Sequence, residues 1–522
     1  MSAFLYKHQK VITVILAVIF IISLVPILML AGYDCASGDD YNYGAGAHLA
    51  FLATGSVLQA FRAAAQTTIG TWHGWQGTWF DCFLFCLHPE VFSESGYVIV
   101  PYIFVMMQIL TVMLFAYHFI RGRLEISGLY WIEVALIWVI FAFQLVPSRK
   151  SAFFWWVGCI HYVMPFCLSL IGIILGDRFL SGHKRRDMIL LTVVAACIGG
   201  ATYPAVLLLV LSVFLLWLAR FVLYGKKDVR DLQLLIPFSA VALGLGISII
   251  APGNAVRSAS DMGNGGVDSG GGIATVFKSI AFSVTDAFSF ISEKPYVLLA
   301  FIAVFVLSLQ VLKKQYQANE QVFVRVFDHP LIFVLVMFML NAAMYAPRIY
   351  AGGVVSSGYL NFNFCIFFTC VISSIIYIQG FCISRGYFIR IALGVKYFVL
   401  AVIVVTIFYL GRHGIKETTD YECLSYYLSG QAHDYREQIK LQRVLMQEEG
   451  IDDVIVPEIN DYQGPLMHMP IVADPENVDN VMTSSFYGKK SCRSIPRSEW
   501  IEKYGKKYEY FEEHINEKYR YR

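Results

Sequence analysis

Long apolar runs separated by short polar clusters set the pattern along this chain. They fall near residues 11–31, 97–119, 129–147, 153–176, 188–202, 204–224, 233–251, 296–312, 331–346, 359–379 and 393–411. Most approach the ~20 apolar residues that carry a helix across ~30 Å of hydrocarbon, so the pattern predicts about eleven transmembrane helices. The stretch 188–224 is almost continuously apolar, but Gly199-Gly200-Ala201-Thr202-Tyr203-Pro204 interrupts it. Paired glycines and a proline favour a break there over one long helix. Two helices would then meet in the outer half of the membrane, where irregular backbone must line protein or a water-filled cavity.

Basic residues give the orientation. Lys7 and Lys10, Arg121 and Arg123, Lys184 to Arg186, Lys226, Lys227 and Arg230, Lys313 and Lys314, and Arg385 and Arg390 all count to one side. The positive-inside rule makes that side cytoplasmic. The first run follows Lys7 and Lys10 but is long for a cleaved signal and lacks a small-x-small site, so it reads as an uncleaved first helix with a cytoplasmic N-terminus.

Four segments then face outward. The first, 32–96, contains an amphipathic stretch, Ala45 to Thr68, and an aromatic cluster, Trp72 to Trp79, which together predict helices lying on the membrane surface. The second, 252–294, opens on Pro252-Gly253-Asn254 with Arg257 and continues through a glycine-rich tract, 263–272, that reads as a mobile loop. The third is short, Tyr345 to Gly358. The fourth is the tail, 412–522, where the composition turns polar. Tyr435 to Glu449 predicts a helix and Asp452 to Pro457 a strand, so the tail is expected to be a small extracytoplasmic soluble α/β domain attached to a membrane domain of residues 1–411.

Composition narrows the classes. With 522 residues, 57% hydrophobic side chains, 15% charged ones and a mean hydropathy of +0.59, the chain is too apolar for a soluble protein of its size. Its net charge of +2 is spread over short topology-setting clusters, which argues against nucleic acid as a partner. The eleven cysteines include no CxxC pair and no zinc-like spacing with histidine, so neither a metal centre nor a resident cofactor is expected. Cys423 with Cys492 is the candidate disulfide among those placed outside.

Candidate chemistry gathers on the outer side. Asp39-Asp40-Tyr41 follows the first helix, flanked by Gly38 and Gly44. Its plain reading is a solvated loop with a helix N-cap. Adjacent carboxylates also raise each other's proton affinity, which suits a general base acting on a hydroxyl. Arg257, Arg149, Lys150 and Arg348 all lie at outer helix ends, where they are snorkelling cations or phosphate ligands. Trp156 and His161 stand in the outer half of the fourth helix, either in an aromatic belt or against a sugar ring.

Asp39-Asp40-Tyr41 after the first helix, the Trp75 to Trp79 cluster before the second, Pro252-Gly253-Asn254 with Arg257, and a tail containing Asp474-Pro475 and Tyr487-Gly488 form a combined pattern. It resembles the GT-C superfamily of integral-membrane glycosyltransferases, in particular bacterial members of uncertain substrate. The resemblance implies an inverting transfer of a sugar from a polyprenyl-phosphate carrier to a glycan or lipid-linked glycan acceptor, such as O-antigen or a teichoic acid, outside the bacterial inner membrane. It implies Asp39 or Asp40 as general base, Arg257, Arg149, Lys150 and Arg348 on the donor phosphate, and Tyr41, Trp75, Trp79, Trp156, His161 and Tyr203 around sugar and acceptor. No metal is indicated, although some relatives use a divalent cation. Thr78 stands where the family pattern has a basic residue, and Ser356-Ser357-Gly358-Tyr359 lacks an expected arginine. The rival readings are a transporter or flippase, or a polymerase or ligase, of lipid-linked saccharides. A transporter of that kind calls for ionisable groups deep in several helices and for duplicated halves, and the sequence displays neither.

Overall fold

The computed structural model describes residues 8–263, 266, 270–387, 401–406, 408, 414–459 and 464–505. Among them are nine helices long and apolar enough to cross a membrane, with a shorter apolar helix at Tyr130–Leu145. The architecture is that of a polytopic helical membrane protein. Its first helix, α1 (Gln9–Leu30), shows why: Ile22 and Val14 are 65% and 62% exposed on a helix that is apolar all round, a surface stable only against lipid.

The bundle has two distinct ends. One carries the first polar segment, with α2 (Asp39–Thr54), α3 (Val57–Gly74) and the short α4 (Trp79–Phe85). From there α5 (Val100–Ala116) crosses to the other end and α6 (Tyr130–Leu145) returns. Next along the chain come α7 (Met164–Gly182), α8 (Arg185–Gly199), α9 (Tyr203–Val222) and α10 (Leu235–Ile249). The expected break between α8 and α9 falls at 200–202, and Pro204 sits in the first turn of α9, where its missing N–H costs nothing.

Past α10 the structure departs from the expected outer loop of 252–294. Residues 253–293 form two helices, α11 (Gly253–Gly263) and α12 (Gly272–Glu293), and much of the glycine-rich tract between them lies outside the described residues. Ile273, Val276, Phe277, Val284 and Phe288 make an exposed apolar stripe along α12 at helical spacing. Counting glycines and polar residues hid that stripe. Next come α13 (Val297–Ala318), α14 (Glu320–Val326), α15 (Pro330–Ala343), α16 (Ala346–Ala351) and α17 (Ser357–Ser384). The α12 helix packs on α15 and α16 rather than lengthwise on α13, with Phe282 beneath the Arg348 guanidinium. The last expected membrane helix, 393–411, lies mostly outside the described residues, although 401–406 are helical.

Basic residues gather at the end opposite α2. There Gln9 donates to Glu133, Arg123 pairs with Asp177, His183 meets Asp231 at 2.7 Å, and Arg385 meets Asp328 at 2.9 Å. This is the basic end. The other is the tail end, because the C-terminal segment closes over it.

That segment contains α18 (Thr419–Leu428), α19 (Gln431–Gln447), β1 (Asp453–Pro457), α20 (Val478–Phe486), β2 (Ser491–Ile495) and α21 (Arg497–Tyr504). The strands pair in parallel from Asp453 opposite Ser491 to Pro457 opposite Ile495. Leu441, Leu445, Val454, Val456, Cys492 and Trp500 form a core beneath them. The tail does not stand apart from the bundle. Arg443 bonds both Glu90 oxygens at 2.7 Å with both side chains buried, and Arg436 donates to the Asp34 carbonyl at 3.1 Å. Thr419 donates to the Phe143 carbonyl at 2.7 Å, at the end of α6. The candidate disulfide is corrected. Cys423 is buried against the bundle and Cys492 in the separate tail core, and both are free thiols.

Candidate active site

Two glycine-containing motifs build the floor of the site by docking on each other. The Gly77 N–H donates to Asn254 Oδ1 at 2.9 Å, and Asn254 Nδ2 donates to the Ser248 carbonyl at 2.7 Å. A Cβ on Gly77 would lie 1.8 Å from the Ser248 oxygen, and one on Gly253 would lie 2.4 Å from the Trp75 nitrogen. Only glycine permits that approach. The contact fixes the start of α11 and therefore Arg257, one turn along. Its guanidinium lies over the Trp75 ring at 5.9 Å and near Asp261 at 3.9 Å.

The acidic pair divides. The helix N-cap is Gly38, so neither Asp39 nor Asp40 caps α2; both sit in its first turn, where the helix dipole favours negative charge. Asp40 is fully buried. The Tyr97 hydroxyl donates to its Oδ2 at 2.6 Å, the Val157 N–H to its Oδ1 at 3.2 Å, and the Ser37 N–H to Oδ2 at 3.5 Å. Tyr97 in turn accepts from the Trp156 N–H at 2.9 Å. Asp40 thus ties α2 to two other elements, and burial pushes its carboxyl up to about 8. Asp39 is only partly buried. Desolvation raises its pKa, the Arg257 guanidinium opposes that through space, and Asp479 of α20 adds to the rise.

Arg257 is the electrostatic centre of this end of the bundle. Its charge acts on Asp39, Tyr43, Cys82, His161, Tyr162 and Tyr203. Below it, His161 Nδ1 lies 2.7 Å from Asp81 Oδ2. Asp81 is completely buried, and burial holds its carboxyl well above the ordinary carboxylate range. Sequence reasoning singled out His161 for stacking and missed Asp81, which is 80 positions away and meets it only through the fold. Tyr162 reaches Ser356 at 2.7 Å, and Ser258 of α11 donates to the Ala351 carbonyl at 3.0 Å, so α16, which carries Arg348, borders the same region. Arg348 itself lies over the Phe282 and Tyr359 rings at 5.3 and 5.4 Å.

Asp39, Trp75, Arg257, His161 and Tyr203 are therefore brought together, with Arg348 beside them. Other expected members stand elsewhere. Arg149 pairs with Glu422 at 2.8 Å and donates to the Glu417 carbonyl, and Lys150 is held below the ordinary lysine range by burial, partly offset by Glu422. Both belong to the junction with the tail. Tyr41 is buried against Phe486, with ring centroids 4.5 Å apart, and its hydroxyl faces Glu90 at 3.4 Å. Trp156 Nε1 donates to the Leu84 carbonyl at 2.9 Å, and Trp79 Nε1 to the Gly244 carbonyl at 3.2 Å, so each ring is committed to packing.

Among the described residues, no group of three or more His, Cys, Asp or Glu side chains is arranged to hold a metal ion. Comparison with protein-family models, with curated proteins and with solved structures finds no match for this chain.

Proposed function

We propose that this chain is an inverting glycosyltransferase of the bacterial cytoplasmic membrane, with the tail end facing outward, that moves a sugar from a polyprenyl-phosphate carrier to a glycan or lipid-linked glycan acceptor. The observation that carries this reading is that one partly accessible carboxylate, Asp39, lies within the through-space influence of one guanidinium, Arg257, at the end of the bundle away from the basic clusters. Asp39 takes the proton of the acceptor hydroxyl as its oxygen bonds to C1 of the sugar. The C1–O bond to phosphate breaks, its electron pair leaves with the phosphate, and Arg257 stabilises the charge that develops. Inversion follows because nucleophile and leaving group occupy opposite faces of C1.

A raised pKa fits Asp39 for this role, since a stronger base retains more driving force for taking the proton. His161, held by Asp81, adds a second polar group within the influence of Arg257 and suits a hydrogen bond to a sugar hydroxyl. The tail, read as an extracytoplasmic acceptor-side domain, supplies Asp479 to the rim. Protein reconstituted with a polyprenyl-phosphate sugar and an acceptor glycan tests the reading by detection of the new glycosidic bond. Saccharide movement across sealed vesicles with no bond formed would replace it with the transporter reading.

A further inference from the structure

A large space lies at the opposite end of the molecule from Asp39 and Arg257, and the glycosyltransferase reading makes no use of it. Between α5, α6, α7, α9, α15 and α17 is a cavity of about 880 Å³. Trp138, Leu170, Leu208, Met337, Ile366 and Ile372 are among its walls. Its lining runs along α9 from Leu208 to Val222, a depth of ~21 Å at 1.5 Å per residue, which reaches from the basic end past the middle of a ~30 Å hydrocarbon layer. Close-packed interiors do not leave such a volume empty, and water needs two to four polar partners that these walls do not supply. The occupant is apolar over most of its length.

The mouth determines the rest. Arg123, Arg220, Lys226 and Arg325 line it against two carboxylates, Glu125 and Asp177. Arg123 is already paired with Asp177, and Arg220 lies 3.3 Å from Asp231. Arg325 rests on the Tyr224 ring at 5.9 Å, and among the described residues neither it nor Lys226 has a carboxylate partner. Two spare cations over an apolar shaft between membrane helices match a lipid phosphate whose chain descends into the shaft.

We propose that this cavity is a binding site for an anionic glycerophospholipid of the leaflet at the basic end, with an acyl chain between α9, α15 and α17 and the phosphate at Lys226 and Arg325. The proposal does not depend on the catalytic reading.

The test uses the full chain in nanodiscs of phosphatidylglycerol and phosphatidylcholine, one lipid at a time carrying a photoreactive diazirine on its acyl chain, with labelled peptides mapped by mass spectrometry. Labelling of the α9, α15 and α17 walls is expected to be at least five-fold higher with phosphatidylglycerol. Filling the shaft with Ser212→Trp and Ser373→Trp should cut that labelling at least five-fold and leave unchanged the labelling of Val14, Val18 and Ile22 on α1, which face lipid and report correct insertion. Lys226→Ala with Arg325→Ala leaves the shaft intact and should bring the two lipids to parity. Equal labelling by both lipids in the wild type, or labelling indifferent to both pairs of substitutions, would overturn the proposal.

Discussion

Both ends of the bundle bury carboxylates, but they partner them differently. At the tail end the carboxylates of Asp34, Asp40, Asp81 and Glu90 are at most 2% exposed, and each is fixed by backbone N–H groups, tyrosine, histidine or arginine. At the basic end Asp177, Asp187 and Asp231 pair with arginine or histidine at helix termini, and an apolar shaft opens between the pairs. Burial at the tail end costs desolvation that only precise partners offset, so carboxylates there are placed groups. The carboxylates of the basic end are buried too, at 7%, 2% and 4% exposed, but Arg123 and Arg178, which pair with two of them, are 39% and 48% exposed, so those charges reach water and act mainly as orientation signals. A site for chemistry fits the first arrangement, and a site for a lipid fits the second.

The contrast can be broken by mutation. The largest stability effect is expected at Glu90. Truncation to alanine leaves Arg443 buried without its carboxylate and should cost about 3–5 kcal/mol, read as a lower melting temperature and faster proteolysis of the tail. A loss below about 1 kcal/mol would mean that the tail is not anchored through this pair. Arg257→Ala should lower the transfer rate by about 100-fold or more with little change in melting temperature, and Arg257→Lys should recover only part of it. An unchanged rate would remove Arg257 from the donor phosphate.

Asp40→Ala is expected to cost about 1–3 kcal/mol, because Tyr97 and the Val157 N–H lose their acceptor. Asp40 also gives a pH signature. Its folded pKa of about 8 lies above the unfolded value near ~3.9, so the folded state binds the extra proton. That contribution to stability is complete below the unfolded pKa and is lost as pH rises through the folded one. Melting curves of the wild type should therefore fall in temperature as pH climbs toward 8 and then level off, and Asp40→Asn should flatten the dependence. A wild type that gains stability over this range would contradict the assignment. The smallest effect is expected at the basic end, where Asp328→Ala removes a half-exposed pair and should change stability by less than about 1 kcal/mol.

How much was legible beforehand follows from the range of the interactions. Hydrophobic run length is local, so most of the membrane helices and the break at Gly199 to Pro204 were readable, as were β1 and the helix before it. The Trp75 to Trp79 and Pro252 to Asn254 motifs were visible, but nothing local indicated that Gly77 and Asn254 bind each other across 177 positions. The helical nature of α12 was obscured by the glycines and serines around its apolar stripe. The division of labour within Asp39-Asp40 was out of reach for the same reason. It depends on Tyr97 and Val157, which the chain supplies from two other elements.

The division between Asp39 and Asp40 is decided by glycosyl transfer by Asp39→Asn and Asp40→Asn proteins, each reconstituted with a polyprenyl-phosphate sugar and shown to be inserted. Asp39→Asn should lose about 100-fold or more of the rate, and wild-type activity should rise with pH through a carboxylate pKa above the ordinary range, since the base works deprotonated. Asp40→Asn should keep most of the rate at reduced stability. Full activity in Asp39→Asn, or loss confined to Asp40→Asn in a stable protein, would contradict the account.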